Sequence, residues 1–168
     1  MDQITRHGNW EYTTWESKSY RSRKGTKEWT LVDQPPAEPQ LTPSLVLHAQ
    51  EPGEPDHWSF FVAHEGGTGT EYQVKGDAEL MHHTYAEGVN IQNAASFKTA
   101  YTRANLSQVQ AELVAYYANQ EAPPSAPDRA SVRENCQGWA VRVLEKPKGQ
   151  NIVTEEWLEN AKSMLEPV

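Results

Sequence analysis

The hydrophobic pattern of this 168-residue chain changes its period between residues 101 and 107. Before that point, short apolar runs and apolar–polar alternations are typical of β-strands. After it, apolar residues recur at the spacing of one helix face. A set of strands followed by a set of helices, in a chain of about one domain, predicts an α+β fold with an antiparallel sheet.

A proline-rich run separates the two predicted parts of the chain. Residues 34–43 contain four prolines. Because proline supplies no backbone N–H, this run predicts an irregular connector. The connector closes an N-terminal extension over residues 1–43, and the main domain is predicted to span residues 44–168.

The extension is predicted to contain a β-hairpin. The alternation from Trp10 to Trp15 favours a strand, and Gly25 favours a turn before a return strand over 28–32. The locally basic run 18–27 is interpreted as a solvated segment.

The main domain is predicted to place its strands before its helices. The strand-like runs are 44–49, 57–64, 70–74, 89–91 and 97–101. Glycine-rich residues 66–69 predict a hairpin turn between the second and third runs. Three helices follow: one capped by Ser107, one over about 131–146, and one that begins at Thr154.

The single cysteine is the most informative residue for function. Cys136 has no cysteine partner within the chain, and it follows Asn135, a suitable N-cap, at the predicted start of helical periodicity. A helix N-terminus favours a thiolate, and its backbone N–H groups can stabilise an oxyanion. His57 opens an apolar strand-like run and could serve as the base. The two residues are therefore a candidate nucleophile and general base.

A purely structural role for both residues stays open at this point. Free cysteines are among the most buried residues, and Cys136 shares an apolar helical stripe with Ala140, Val143 and Leu144. A single histidine is often only a hydrogen-bonded surface residue.

The motifs around these two residues resemble the circularly permuted papain-like (NlpC-like) superfamily. The strand run His57-Trp58-Ser59-Phe60-Phe61-Val62, the glycine turn and the run Asn135-Cys136-Gln137-Gly138-Trp139 occur in the order that this superfamily uses. The motifs are nearest to the lecithin:retinol acyltransferase and H-rev107-like acyltransferases, and to the permuted deubiquitinating and deSUMOylating peptidases. The resemblance covers roughly residues 44–146.

The resemblance implies a fold and a set of site residues. The fold would be an antiparallel sheet packed against a helix with the cysteine at its N-terminus. Cys136 would be the nucleophile, His57 the base and Gln73 the third catalytic residue. The oxyanion or cleft candidates are Asn135, Gln137, Trp58 and Trp139.

Two departures limit what the resemblance carries over. Gln73 replaces the histidine that is usual in the acyltransferases, and Gln137-Gly138 replaces their Glu-His. A glutamine can still orient an imidazole through its carbonyl oxygen. We therefore expect the fold and the catalytic type to carry over, but not the substrate.

The expected function is cysteine-dependent acyl transfer or hydrolysis of an ester, thioester or amide through an acyl-enzyme on Cys136. The alternatives are a non-catalytic binding domain that uses the same cleft, and an isopeptidase that acts on a protein modifier. The expected partners are a small acyl substrate or a peptide or isopeptide. The sequence leaves the oligomeric state open.

Charge and composition disfavour several other classes of function. The net charge of −8 argues against nucleic acid as the main partner. No apolar run approaches the length of about 18 residues needed for a membrane helix. A cytoplasmic location is predicted because a single cysteine gives no disulfide framework and a free thiol stays reduced there. The side chains of the adjacent His82 and His83 would point in different directions on a strand or a helix, so they would not form a chelating pair, and we predict no metal site. The expected reaction needs no cofactor.

Overall fold

The computed structural model describes residues 4–16, 18–32, 41–64, 67–102 and 106–168. These residues form an α+β structure with two antiparallel sheets and three α-helices. The chain divides into two compact units, Met1–Glu38 and Pro39–Val168. In the described part of the chain, none of the helices has the length and apolar content needed to cross a bilayer.

The first unit contains a four-stranded antiparallel meander, which is two strands more than the predicted hairpin. The strands are β1 (Thr5–His7), β2 (Trp10–Trp15), β3 (Lys18–Arg23) and β4 (Thr30–Val32). The basic side chains of run 18–27 are exposed to solvent, as predicted, although residues 18–23 form β3, which pairs with β2 and β4. One of the basic side chains of β3 also packs on a neighbouring strand. The guanidinium of Arg21 lies 4.7 Å from the ring centroid of Trp10 on β2, which is a cation–π contact.

The second unit contains a five-stranded antiparallel sheet. Its strands are β5 (Leu41–His48), β6 (His57–His64), β7 (Gly69–Lys75), β8 (His82–Val89) and β9 (Phe97–Thr102). Their order is β8-β7-β6-β5-β9, so β6 lies in the middle of the sheet. The extended run predicted at 89–91 ends at Val89, because Asn90 caps a 3₁₀ turn over Ile91–Asn93.

The predicted connector is partly a strand. Residues 33–40 lie outside the described part of the chain, but Leu41, Thr42 and Pro43 belong to β5 and pair with β6. The main domain therefore begins before the predicted boundary at residue 44. Pro43 lies between two paired positions on this side of β5, the bridge from Leu41 to Leu106 and the ladder with β9 that begins at Ser44, so its missing N–H interrupts neither.

Gly69 makes the tight β6–β7 hairpin possible. A Cβ at this position would overlap the carbonyl oxygen of Val62 and the side chain of Ala63. The glycine thus allows the two backbones to approach closely. Gly66, at the other end of the predicted turn, lies outside the described residues.

Three capped helices follow the sheet strands in sequence. They are α1 (Gln108–Gln120), α2 (Cys136–Glu145) and α3 (Glu155–Ser163), capped by Ser107, Asn135 and Thr154. The second helix begins later than the predicted residue 131, because Asp128 caps a separate 3₁₀ turn over Arg129–Ser131. This later start places Cys136 at the first helical position.

The helix α2 packs against β6 through fully buried aromatic side chains. Trp58 and Trp139 have no exposed surface, and the ring centroids of Phe60 and Trp139 lie 5.8 Å apart. Burying rings of this size contributes about 2 kcal/mol or more each. The packing fixes the N-terminus of α2, and with it Cys136, relative to the first residues of β6.

Candidate functional site

A pocket of about 1390 Å³ lies where β6 begins and α2 begins. Its lining includes Cys136, His57, Gln73 and Asn135, which were four of the predicted site residues. His57 is the first residue of β6, Gln73 lies on β7, and Cys136 is the first residue of α2. The fold thus brings residues far apart in sequence to one cavity.

Gln73 is a hydrogen-bond partner of His57, as the resemblance implied. The ring atom Nε2 of His57 lies 2.8 Å from Oε1 of Gln73. A carbonyl oxygen can only accept, so Nε2 must carry the proton. In the neutral ring this leaves Nδ1 with the free lone pair, which is the form that a general base needs.

Cys136 is almost completely buried, although it lines the pocket. The residue is 3% exposed, and backbone N–H groups near its sulfur, including that of Trp58, act to lower the thiol pKa. Trp58 directly follows His57, so the thiol lies beside the strand position that bears the imidazole. Among the described residues, no direct hydrogen bond joins the thiol to the ring.

Burial governs the protonation of both groups. It raises the pKa of the Cys136 thiol more than the nearby backbone N–H groups lower it. Burial also lowers the pKa of His57 and outweighs the hydrogen bond to Gln73, which acts to raise it. The pair therefore rests as a neutral thiol and a neutral imidazole at neutral pH.

Asn135 and Gln137 stabilise the start of α2 and connect it to neighbouring segments. The side-chain oxygen of Asn135 caps the helix by accepting from the backbone N–H of Gln137 at 2.9 Å. Gln137 is buried and donates to the carbonyl of Asp56 and to the carboxylate of Glu166, at 2.8 and 2.7 Å. Gln137 thus ties two segments of the pocket wall to α2.

The two predicted tryptophans are not cleft residues. Trp58 and Trp139 are fully buried in the core between the sheet and α2, and the indole N–H of Trp139 donates to the carbonyl of Glu121. The prediction was wrong because tryptophans beside catalytic motifs can serve packing alone. Asp77, which also lines the pocket, forms an ion pair with Arg129.

Sequence reasoning missed an acidic residue within the site. Glu71 is buried on β7, two residues before Gln73, and it contacts His48 and Ser59. Side chains at alternate strand positions share a face, so the pair Glu71 and Gln73 was the available signal. Burial acts to raise the pKa of Glu71, but the hydrogen bonds from His48 and Ser59 give a net decrease.

The comparisons with known proteins give a family without an assigned activity. The model of a family of unknown function, DUF6540, matches residues 44–154, a range that contains His57, Gln73 and Cys136. Among curated proteins and among solved structures, no significant match was found. Because the family model matches more than half of the chain, the chain belongs to the DUF6540 family.

Proposed function

We propose that this protein is a cysteine hydrolase or acyltransferase with a permuted papain-like fold. The observation that carries the proposal is the His57–Gln73 hydrogen bond in the pocket that also contains Cys136. It leaves Nδ1 of His57 as the proton acceptor. The capped helix that begins at Cys136 and the central position of β6 are compatible with that fold.

The proposed reaction begins from the neutral pair. Nδ1 of His57 takes the thiol proton while the sulfur of Cys136 forms a bond to the carbonyl carbon. The electrons of the carbonyl double bond move to its oxygen, where the N-terminus of α2 favours negative charge. The carbon–leaving-group bond then breaks, and His57 returns the proton to the leaving group.

The second half of the reaction releases the acyl group from the Cys136 thioester. His57 takes a proton from the acceptor, which attacks the thioester carbonyl, and the thiolate leaves and is reprotonated. Water as the acceptor gives hydrolysis, and an amine or alcohol gives transfer.

The pocket lining favours a polar acyl group over a lipid chain. Charged side chains line much of the pocket: Glu54, Asp56, Lys75, Asp77, Lys98 and Arg129. Small-molecule sites usually enclose about 300–1,000 Å³ and have mostly apolar walls. A larger polar cavity is better suited to a peptide or isopeptide than to a retinyl or phospholipid acyl chain.

Acyl-probe labelling tests the proposal, and the single cysteine makes the readout unambiguous. Activated esters with polar acyl groups should add one acyl group to the parent protein, measured by intact mass, and Cys136→Ala should remove the adduct. His57→Ala should slow acylation by about 100-fold or more, because general-base catalysis contributes 10²–10⁴-fold. His82→Ala is the matched control, since His82 lies on β8 outside the pocket lining. Equal labelling of the parent and His57→Ala would refute the proposal.

A non-catalytic binding domain is the second candidate. The observations that favour it are the low exposure of Cys136 and the absence of a direct thiol–imidazole hydrogen bond among the described residues. If Cys136 reacts no faster than a free thiol and Cys136→Ala changes only the free energy of unfolding, this second function is the correct one.

A further inference from the structure

A buried carboxylate and a second imidazole adjoin the His57–Gln73 pair. Nε2 of His48 lies 2.9 Å from Oε1 of Glu71, and the hydroxyl of Ser59 donates to the same oxygen at 2.6 Å. The other carboxylate oxygen, Oε2, accepts from Nε2 of Gln73 at 3.4 Å. A continuous chain of hydrogen bonds therefore leads from Glu71 through Gln73 to His57.

The chemistry of these groups fixes the direction of each hydrogen bond. The net decrease in the pKa of Glu71 keeps the carboxylate ionised at neutral pH, so it can only accept. Gln73 must then turn its NH₂ group toward Glu71 and its carbonyl oxygen toward His57. If the amide were reversed, an NH₂ group would face His57 and the ring would have to carry its proton on Nδ1.

We propose that Glu71 is a positioning residue of the site, which sets the orientation of the Gln73 amide and through it the proton position on His57. The inference rests on the proposed function, in which Nδ1 of His57 is the base. Glu71 also places a negative charge near the imidazolium that forms during the reaction. This explains how glutamine can occupy position 73, since the site's carboxylate lies two residues earlier on the same face of β7.

The charged and titratable groups around His57 come from three elements. His48 on β5 and Lys75 on β7 lower its pKa by charge repulsion, and Glu71 raises it. Cys136 on α2 lines the same pocket. Glu71 is therefore the group in this set whose charge favours protonated His57.

A structural role for Glu71 is the competing explanation, because the carboxylate also pairs with buried His48. An exchange of the two side chains separates the two roles. Glu71→Gln keeps the shape but removes the charge, and Gln73→Glu places two carboxylates side by side. The double variant Glu71→Gln/Gln73→Glu puts the carboxylate on His57 and lets the new amide donate to it.

The expected results differ for the two roles. With a positioning role, each single variant slows Cys136 acylation by about 10-fold or more, as loss of a supporting hydrogen-bond partner does elsewhere. The double variant should recover to within a few-fold of the parent, because all hydrogen-bond directions are restored. With a structural role, the two losses would simply combine, which would overturn the inference.

The titration of His57, followed by NMR, tests the inference without any acylation. His57 should titrate at a lower pH in Glu71→Gln and at a higher pH in the double variant. The control is Glu121→Gln, which removes a carboxylate paired with Arg142 and Lys146 outside the pocket lining. If the parent forms no acyl adduct but His57 shifts as expected, only the proposed function fails. An unchanged His57 titration in Glu71→Gln overturns the role of Glu71.

Discussion

Replacing Gln73 by leucine should destabilise the protein by about 2 kcal/mol, within a range of roughly 1–4. Gln73 is buried, and leucine has a similar size but no polar atoms. The N–H at Nε2 of the half-buried His57 would lose its acceptor, and such a loss costs about 1–3 kcal/mol where the donor stays out of contact with water. Glu71 would lose only a long hydrogen bond and keep two partners, so this adds less than about 1 kcal/mol.

Denaturant unfolding measures the change in the free energy of unfolding, and acyl-probe labelling of the same variant measures the loss of base function. Gln108→Leu is the matched control, because Gln108 lies on the exposed surface of α1 and should change stability by less than about 0.5 kcal/mol. A loss for Gln73→Leu as small as that of the control would refute the claim that this amide holds the imidazole in place.

Three further predictions concern the scaffold and its pH dependence. Gly69→Ala should lower the free energy of unfolding by about 1–3 kcal/mol, because its Cβ would overlap the Val62 carbonyl; an unchanged denaturation midpoint would contradict the tight hairpin. Trp139→Ala should cost about 3–5 kcal/mol in a denaturant titration, and Trp139→Phe less, because a phenyl ring can still pack on Phe60; equal losses would argue against this ring packing. The folded state holds the pKa of His57 below its ordinary 6.5, so its contribution is fully present above pH 6.5 and is lost as the pH falls below that value. His57→Gln should flatten this dependence in denaturant midpoints taken from about pH 7 to 5, and a flat parent profile would contradict burial of the ring.

The local elements of the second unit were largely predictable because their signals are local. The apolar run of β6, the glycines before β7 and the helix caps at Ser107 and Thr154 each correspond to an observed element. Pro43 was wrongly assigned to an irregular connector. A strand tolerates proline where no neighbouring strand needs a backbone N–H at that position, so the outcome depends on strand pairing. That information lies in the pairing of β5 with β9, which no local pattern contains.

The candidate site was predictable only in part, since its contacts are tertiary. The hydrogen bond between His57 and Gln73 followed from matching short motifs to a family pattern. The place of Glu71 in the site did not, because its contact with His48 joins two strands that are far apart in the sequence. Trp58 and Trp139 were assigned to the cleft because they belong to the motifs around His57 and Cys136, although strand and helix geometry turns both side chains into the core.

The pH dependence of Cys136 alkylation by a small neutral reagent tests the central claim most directly. If His57 is the base, the parent should react faster than a free thiol between about pH 6 and 7, and the rate should fall only as His57 becomes protonated. His57→Ala should lose this low-pH reactivity and react only above the ordinary thiol range, because burial raises the pKa of Cys136. Identical profiles for the two proteins, each with a single rise above the ordinary thiol range, would show that the imidazole does not activate the thiol.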